Sequence, residues 1–457
     1  MLFSSLEFLY LFLPLTVFTY FICPQRWRNL LLLLLSLVFY AYGEPVYVLL
    51  MLTTVTVDHV LGILITSSKN RKKLWLWVGV AVNLSLLFFF KYYDLAANAL
   101  GLPALGLGLP VGISFYTFQA LSYLIDVYKE SVEAQKSLVD FGAYVTLFPQ
   151  LIAGPIVKYS DVEKELKHRT VSVSDIAGGF SIFCAGLAKK VILANGAGEI
   201  ADRLLLRQSS VLGMWLGIIL FAFQIYYDFS GYSDMAVGLG RILGFRFPKN
   251  FNYPYISRSI TEFWRRWHIT LSSFFKEYVY IPLGGNRKGR LRTYFNLFIV
   301  WALTGLWHGA QWNFLLWGIY FFILLVIEKT FLLKFLDRLT PLVGHLYSIF
   351  FILVGWMIFY AEGDIGVSLS FLSTFFGGED IPLYESFDAY LLVRYLPFLL
   401  IMTVGATPIP KMALDIFKKR FMLVGTALQN VASLGAFLIS TAYVTASNYN
   451  PFLYFRF

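Results

Sequence analysis

Long apolar runs alternate along the chain with short segments that carry most of its charge. Runs such as Leu30–Leu37 and Phe321–Ile327 lack the polar–apolar alternation of a membrane β-barrel strand. An α-helix needs roughly 20 apolar residues to cross the hydrocarbon layer, so the pattern predicts an all-α polytopic membrane protein with about 11–12 membrane-spanning helices. The apolar segments lie at about 6–22, 29–42, 45–65, 74–90, 109–127, 138–157, 175–195, 211–237, 294–309, 312–328, 342–360, 390–405 and 425–445.

Composition excludes a soluble protein. Of the 457 residues, 58% are hydrophobic and only 14% are charged, whereas a soluble domain carries roughly 25% charged residues. The net charge of +10 does not indicate nucleic-acid binding, because Lys and Arg are concentrated in the short loops between spans. Two cysteines without any metal-ligand spacing predict neither a disulfide framework nor a metal site.

The distribution of charge also predicts an orientation. Basic loops follow the first, third and sixth segments, and others precede the hairpin at 294–328 and the last span. These loops all lie on the cytoplasmic side if segment 138–157 enters the membrane and returns on the same side. Both termini are then extracytoplasmic, with Met1–Ile22 as a retained first span and 425–457 as the last span and its tail.

The apolar hairpin at 294–328 has one ionisable side chain near its middle, His308. Four residues follow i, i+3, i+4, i+7 spacing and share a helix face: Trp301, Thr304, Gly305 and His308. Gly305 and Gly309 leave that face flat enough for another backbone or a slender ligand. A polar group within the hydrocarbon is costly, which favours a catalytic or binding role. The alternative is a hydrogen-bonded packing histidine.

The stretch 262–280 is predicted to be one amphipathic helix in the cytoplasmic interface. Its apolar stripe comprises Trp264, Trp267, His268, Leu271, Phe274, Phe275 and Tyr278, and its polar side comprises Arg265, Ser272 and Lys276. On the pattern alone, His268 is more typical of a packing residue than of a ligand. The basic glycine turn that follows, 282–290, has the composition of an anion site but lacks the P-loop spacing.

Two further segments place polar groups at membrane depth. Pro149, Gly154 and Pro155 interrupt the helix around Gln150, which indicates either a cavity lined by broken backbone or a plain kinked span. Asp228 and Asp234 lie in or at the end of a span. A structural ion pair with Arg241 or Arg246 is the favoured interpretation, with acid catalysis as the alternative.

The tail 447–457 is rich in aromatic residues. It is interpreted as an aromatic belt that anchors the last span. The alternative is that it folds back toward His308 and brings the hydroxyl of Tyr449 or Tyr454 to a base.

Taken together, these stretches resemble the membrane-bound O-acyltransferase superfamily, and within it the bacterial branch typified by the membrane subunit of alginate O-acetylation. The segments that carry the resemblance are FSSLEFLYLFLPL at 3–15, LPVGISFYTFQALSYLIDVYKE at 109–130, LFPQLIAGPIVKY at 147–159, FNYPYISRSITEFWRRWHITLSSFFKEYVYIPLGGNRKG at 251–289, WALTGLWHGAQWNFLLWGIY at 301–320 and the terminal NPFLYFRF. They extend over nearly the whole chain, and the two histidine stretches are highly specific.

The resemblance implies a single helical domain, 1–457, that surrounds a funnel and tunnel meeting at His308. His268 matches the upstream polar position of the family motif. Similar proteins take an acyl group from acetyl-CoA or an acylated carrier protein and pass it to an extracytoplasmic polymer, usually with a separate SGNH-type transferase. The tail also looks like the motif of a small partner protein in teichoic acid D-alanylation, where a tyrosine matching Tyr454 is proposed to carry the acyl group.

These expectations assign a role to each candidate residue. His308 acts as general base, His268 orients the donor, and Tyr454 is a possible acyl relay. The residues expected to bind the donor are Gln150, Trp264, Arg265, Arg266, Lys288 and Arg290. Those expected to line the tunnel or support it are Trp301, Thr304, Gly305, Trp307, Asp228 and Asp234. No permanently bound cofactor and no metal are expected.

Three hypotheses about function follow. The first is acetyl transfer to an alginate-like exopolysaccharide, and the second is the same chemistry on peptidoglycan or another wall polymer. The third, from a different class, is a transporter or export channel. The absence of a visible internal repeat weighs against the third.

Overall fold

The computed structural model describes residues 1–361, 365–378, 380–447, 449–451 and 453, and within these ranges every regular element is a helix. The α-helices are α1 (Leu13–Ile22), α2 (Arg28–Gly43), α3 (Tyr47–Ser67), α4 (Lys72–Ala99), α5 (Ile113–Tyr128), α6 (Leu138–Thr146), α7 (Phe148–Leu151), α8 (Tyr159–Lys167), α9 (Val173–Ala188), α10 (Asn195–Arg207), α11 (Val211–Ile242), α12 (Ile260–Arg266), α13 (Ile269–Phe275), α14 (Arg290–His308), α15 (Trp312–Ile327), α16 (Leu333–Leu336), α17 (Pro341–Tyr360), α18 (Ile365–Phe376), α19 (Ser386–Gly405), α20 (Ile409–Arg420) and α21 (Met422–Ala446). Shorter π-helical and 3₁₀ turns lie at Phe8–Phe12, Gln25–Trp27, Lys189–Ala194, Pro254–Ile256, Lys276–Tyr280 and Glu328–Leu332.

Seven helices in the described part of the chain are long and apolar enough to cross a membrane: Tyr47–Ser67, Lys72–Ala99, Val173–Arg207, Val211–Ile242, Pro341–Tyr360, Ser386–Gly405 and Met422–Ala446. The prediction of a multi-pass, all-α membrane protein is therefore confirmed. Several other predicted passes fall on helices that are short or interrupted. At 1.5 Å per residue, for example, α14 is about 28 Å long and α15 about 24 Å.

The helices form two compact units, the first of which comprises Met1–Leu187 and Tyr232–Lys249. Its core contains the rings of Phe3, Phe8, Phe39 and Phe148, with Phe39 and Phe148 centroids 5.5 Å apart. The predicted interruption of segment 138–157 is confirmed, because α6 ends at Thr146 and only the four residues of α7 are helical before Tyr159. The hydroxyl of Ser36 accepts a hydrogen bond from Phe148 N at 3.1 Å and so satisfies one N–H at the break.

The second unit comprises Ala188–Gly231 and Asn250–Phe457 and contains the α14–α15 hairpin. A methyl group at Gly305 would lie 2.4 Å from the carbonyl oxygen of Phe314, and one at Gly318 would lie 2.4 Å from that of Trp301. The flat face predicted at Gly305 therefore receives the backbone of α15. Gly309 is not part of that face, because α14 ends at His308 and Gly309 has extended dihedral angles.

The prediction of a single amphipathic helix at 262–280 is wrong. Helix α12 ends at Arg266, His268 adopts a left-handed conformation with φ of 42°, and α13 begins at Ile269. The physical reason is competition from the segment before α12. Asn252 N donates to Arg266 O at 2.9 Å, and Ile269 N donates to the main-chain oxygen of Asn250 at 2.9 Å, so this segment replaces bonds that a continuous helix would make.

Candidate active site

A cavity of about 260 Å³ lies in the second unit, between the broken helix α12–α13 and helix α14. It is lined by Thr261, Trp264, Arg265, Trp267, His268, Leu271, Ser272, Phe275, Lys276, Tyr280, Leu297, Val300, Trp301, Thr304, His308 and Leu325. The predicted face of α14 contributes Trp301, Thr304 and His308 to the wall of this cavity. Both predicted histidines belong to one cavity, although they are forty positions apart in the sequence.

The cavity extends from exposed cations to buried imidazoles. Arg265 and Lys276 are exposed, whereas His268 and His308 are only 2% and 9% exposed. The amphipathic prediction put Arg265 and Lys276 on the face opposite His268. They line the same cavity as His268 because the chain turns at that residue. The residues before and after the turn belong to different helices, so the opposite faces of a single helix do not separate them. A charged ligand group at the rim and a reacting group at the imidazoles fit this arrangement.

His308 is held by aromatic rings at the end of α14. Its ring centroid lies 4.9 Å from that of Trp307, 5.1 Å from that of Trp317 and 5.3 Å from that of Phe359, each at an edge-to-face angle. Such contacts fix the plane of the imidazole. The ring is nevertheless part of a cavity wall and is not enclosed by packed side chains on all sides.

His268 also packs on Trp307, with ring centroids 5.8 Å apart. Its Nδ1 is 3.1 Å from Asn250 Oδ1. Its Nε2 is buried and has no hydrogen-bond partner among the described residues. Burial lowers the pKa of His268 from the ordinary 6.5 to about 3, so the ring is neutral at physiological pH.

The predicted donor-binding residues differ in where they lie. Trp264 and Arg265 line the cavity, and the indole nitrogen of Trp264 is buried without a hydrogen-bond partner among the described residues. Arg266 is absent from the lining, and its guanidinium contacts Glu262 at 2.8 Å and the carbonyl of Asn252 at 3.1 Å. Arg266 is therefore engaged in holding the local structure.

Lys288 and Arg290 are exposed at the basic glycine turn and are not part of the cavity lining. The turn itself is confirmed, since Gly284, Gly285 and Gly289 all have positive φ. The buried side chain of Asn296 donates to the carbonyl of Gly285 at 2.9 Å and fixes the turn to α14. Lys276, which the sequence placed on the polar side of its helix without a role, is the basic residue that joins Arg265 at the cavity.

Glu328 organises the cavity wall from a distance and was missed by sequence analysis. Its carboxylate is 1% exposed and accepts hydrogen bonds from Ile260 N at 2.6 Å, Thr261 N at 2.8 Å and Thr261 Oγ1 at 2.6 Å. A carboxylate at these free N–H groups stabilises the start of α12. It therefore connects α12, which carries Trp264 and Arg265, to the end of α15.

Gln150 and Asp234 belong to the first unit. The side chain of Gln150 is fully buried, and its amide nitrogen donates to the carbonyl of Tyr144 at 2.6 Å. Asp234 lies partly exposed in α11. The predicted partner Arg241 forms its ion pair with Asp175, at 3.2 Å.

Asp228 forms a buried ion pair, as predicted, but its partner is Lys190 and not Arg241 or Arg246. The two charged atoms are 2.8 Å apart, and the side chains are 3% and 4% exposed. Asp228 and Arg241 lie thirteen positions apart on α11, about 20 Å along its axis, which is too far for contact. The partner comes from the turn before α10, and no local sequence signal identifies it.

The described tail residues dock on this ion pair. Leu453 N donates to Asp228 Oδ2 at 3.0 Å, Lys190 Nζ donates to the carbonyl of Pro451, and Leu453 is 4% exposed. These contacts attach residues 451 and 453 of the tail to protein. Apart from Tyr449, the aromatic residues of the predicted belt lie outside the described residues. Tyr454 lies outside the described residues.

Tyr449 connects the tail to the end of α17. Its hydroxyl donates to Asp202 Oδ2 at 2.8 Å, and Tyr360 donates to the other oxygen of that carboxylate at 3.1 Å. Tyr360 ends α17 directly after Phe359, the residue that packs on His308. Tyr449 is therefore linked through Asp202 to Tyr360, the residue that follows Phe359 at the end of α17.

An imidazole in the wall of a cavity, within an all-helical membrane protein, indicates a membrane-embedded enzyme. The comparison with known families agrees with this interpretation. The sequence pattern of the MBOAT, membrane-bound O-acyltransferase family, matches residues 128–363, a range that contains both histidines and every residue of the cavity. The chain belongs to this family and is an O-acyltransferase.

Relatives with assigned names share much of the length. The chain is 42% identical to the "Probable alginate O-acetylase AlgI" of Pseudomonas aeruginosa, over 79% of this chain and 72% of that protein. It is 38% identical to the protein of the same name from Pseudomonas putida, with both chains fully covered. It is 34% identical to the "Peptidoglycan O-acetyltransferase" of Helicobacter pylori, over 79% of this chain and 77% of that protein.

Proposed function

We propose that the protein takes an acetyl group from a cytoplasmic thioester and transfers it for O-acetylation of an extracytoplasmic polysaccharide. The observation that carries the proposal is the single cavity that joins the exposed cations Arg265 and Lys276 to the buried rings of His268 and His308. A thioester donor such as acetyl-CoA, or an acylated carrier protein, combines a negatively charged end with a reactive apolar end. The two ends of the cavity match that division.

The proposed chemistry requires one general base. His308 removes the proton from an acceptor hydroxyl as its oxygen attacks the thioester carbonyl, so that a C–O bond forms and the C–S bond breaks. The proton held by the imidazole then passes to the leaving thiolate. Acceptor hydroxyl and acetyl thioester become acetyl ester and free thiol, with all atoms accounted for and no metal or redox group involved.

The rim of the cavity supplies the charge that attracts the donor. Arg265 and Lys276 meet the phosphates of a nucleotide thioester or the acidic surface of a carrier protein. Lys288 and Arg290 add to the same positive surface from the neighbouring turn. The indole N–H of Trp264 is a donor for a carbonyl oxygen inside the cavity, since it has no partner among the described residues.

For the acceptor we propose an alginate-like exopolysaccharide, because the relatives named as alginate O-acetylases are 38–43% identical. A wall polymer such as peptidoglycan is the second candidate, supported by the relative from Helicobacter pylori. Since this chain lies in the membrane, we also propose a separate extracytoplasmic transferase of the SGNH type that completes the transfer to polymer.

We further propose Tyr454 as an acyl relay. The support is the docking of the preceding residues on Asp228 and Lys190, and the link from Tyr449 through Asp202 to Tyr360 at the end of α17. A phenol attached to this docked segment would take the acetyl group as an ester and release it on the outer side. The relay requires an extracytoplasmic C-terminus. We propose that both termini are extracytoplasmic in the bacterial cytoplasmic membrane, an orientation supported by the basic loops.

The experiment is radiolabelled acetyl-CoA added to the cytoplasmic face of inverted vesicles that contain the purified protein. We expect release of CoA and a labelled product or labelled protein, and a loss of about 10²–10⁴-fold in His308→Ala. Intact-protein mass spectrometry of wild type and Tyr454→Phe then shows whether the label is on the tail. CoA release from His308→Ala at the wild-type rate would refute the base assignment, and no CoA release from wild type would favour a transporter.

A further inference from the structure

Asn250 has an unusual set of contacts for a residue outside the cavity lining. It is 2% exposed and lies beside the break between α12 and α13. Its main-chain oxygen accepts a hydrogen bond from Ile269 N at 2.9 Å, and this contact is independent of its side chain. Its side-chain Oδ1 faces three groups: Thr270 N at 3.3 Å, Thr270 Oγ1 at 2.9 Å and His268 Nδ1 at 3.1 Å.

These contacts determine which way the amide is turned. A main-chain N–H can only donate, so the side-chain atom of Asn250 that faces Thr270 N must be the acceptor oxygen and not the NH₂ group. An acceptor oxygen near His268 Nδ1 requires that Nδ1 carry the proton. In a neutral imidazole only one nitrogen is protonated, so Nε2 of His268 then has a free lone pair.

The environment of His268 leaves that lone pair available. Phe229 packs edge-to-face on the ring with centroids 4.7 Å apart, and Trp307 packs on it at 5.8 Å. Neither ring offers a hydrogen bond to Nε2, and no other described residue does. A buried acceptor without a protein partner is costly, and the cavity that His268 lines is where a ligand would satisfy it.

We infer that Asn250 is a positioning residue that holds His268 as its Nδ1–H tautomer, so that Nε2 accepts a hydrogen bond from an amide N–H of the donor's pantetheine arm. The inference deepens the proposed function and rests on it for the identity of the donor. It assigns His268 a binding task distinct from the proton transfer at His308. An unprotonated Nε2 accepts a hydrogen bond and cannot give one, so its ligand is a hydrogen-bond donor and not a carbonyl or phosphate oxygen.

The tautomer is measured without any acetyl transfer. Protein labelled with ¹³C,¹⁵N-histidine in lipid nanodiscs contains five histidines, and His268→Gln identifies the signal of interest. We expect the Nδ1–H form in wild type, its retention in Asn250→Asp, which keeps an acceptor oxygen, and its replacement by the Nε2–H form in Asn250→Ala. A wild-type Nε2–H form, or an unchanged tautomer in Asn250→Ala, overturns the inference.

Kinetics with acetyl-CoA test the binding task. Asn250→Ala should raise the KM for acetyl-CoA about tenfold, equivalent to about 1.4 kcal/mol, with a much smaller change in kcat. Ser210→Ala is the control for general destabilisation, because it removes another buried hydrogen bond, to Asp388 at 2.6 Å, away from the cavity. An equal rise in KM in that control would show that the effect is structural and would overturn the inference.

An acetyl thioester whose pantetheine amide N–H nearest the sulfur is replaced by oxygen completes the test. With this analogue the KM of wild type should rise about tenfold. The KM of Asn250→Ala, which is already raised, should rise almost no further. An equal rise in KM in both proteins would show that Nε2 is not the acceptor of this N–H. If the tautomer is as expected but no protein transfers acetyl, the proposed function fails while the positioning of His268 by Asn250 stands.

Discussion

The buried ion pair between Lys190 and Asp228 allows a quantitative test of how the second unit is held together. Lys190→Met leaves the carboxylate of Asp228 buried at 4% exposure, with the N–H of Leu453 still donating to it. Removing one partner of a buried pair costs about 3–5 kcal/mol, because the other charge stays desolvated. Replacing both by apolar residues removes that penalty, so Lys190→Met/Asp228→Leu should be less destabilised than the single variant, by about 2 kcal/mol or more.

The assay is unfolding of the detergent-solubilised proteins by increasing SDS, followed by tryptophan fluorescence. Arg203→Met is the matched control, since Arg203 pairs with Glu199 at 2.6 Å while both side chains are about half exposed, at 59% and 48%. An exposed i, i+4 pair contributes only about 0.3–0.5 kcal/mol. If Lys190→Met is no more destabilising than Arg203→Met, or if the double variant is no more stable than Lys190→Met, the interpretation of a desolvated pair is refuted.

Two further predictions follow from backbone packing and from proton linkage. Gly305→Ala should lower the free energy of unfolding by about 1–3 kcal/mol and reduce acetyl transfer, because the new methyl would lie 2.4 Å from the Phe314 carbonyl oxygen. Gly435→Ala is the control, because a methyl group there would meet no atom within 4 Å. This control should be neutral or stabilising in the same SDS assay. His268 has a folded-state pKa of about 3, below its ordinary 6.5, so as pH falls the unfolded chain binds this proton first and stability is lost between those two values. The loss is about 2 kcal/mol at pH 5, and it should be absent in His268→Gln when both proteins are titrated in parallel; identical pH profiles would contradict the burial of a neutral ring.

Local patterns predicted the elements whose cause is local. The hairpin around His308 follows from two apolar runs and a glycine between them, and the face shared by Trp301 and Thr304 follows from helical spacing. The break at 147–159 follows from Pro149, which lacks the N–H of a helical hydrogen bond, and from Gly154, which has a low helix propensity. In each case the deciding interaction lies within a few residues of the position that was predicted.

The errors share a different cause. The helix break at His268 depends on Asn250 and Asn252, the partner of Asp228 is Lys190, and the cap of α12 is Glu328, sixty-eight positions beyond Ile260. Each of these contacts joins segments that are brought together only by tertiary packing. A periodic pattern reports which residues prefer an apolar side, but it does not report which distant carbonyl or carboxylate will compete for the backbone.

The left-handed backbone at His268 limits which side chains that position tolerates. A φ of 42° suits glycine and asparagine and penalises valine or isoleucine, whose branched Cβ crowds the carbonyl. Replacement by alanine therefore changes conformational preference as well as removing the ring, whereas asparagine keeps the turn and removes only the imidazole. In a saturation library at position 268, the backbone preference of each substituted residue should therefore decide first whether the variant folds. Only among the variants that fold should the chemistry of the side chain decide activity.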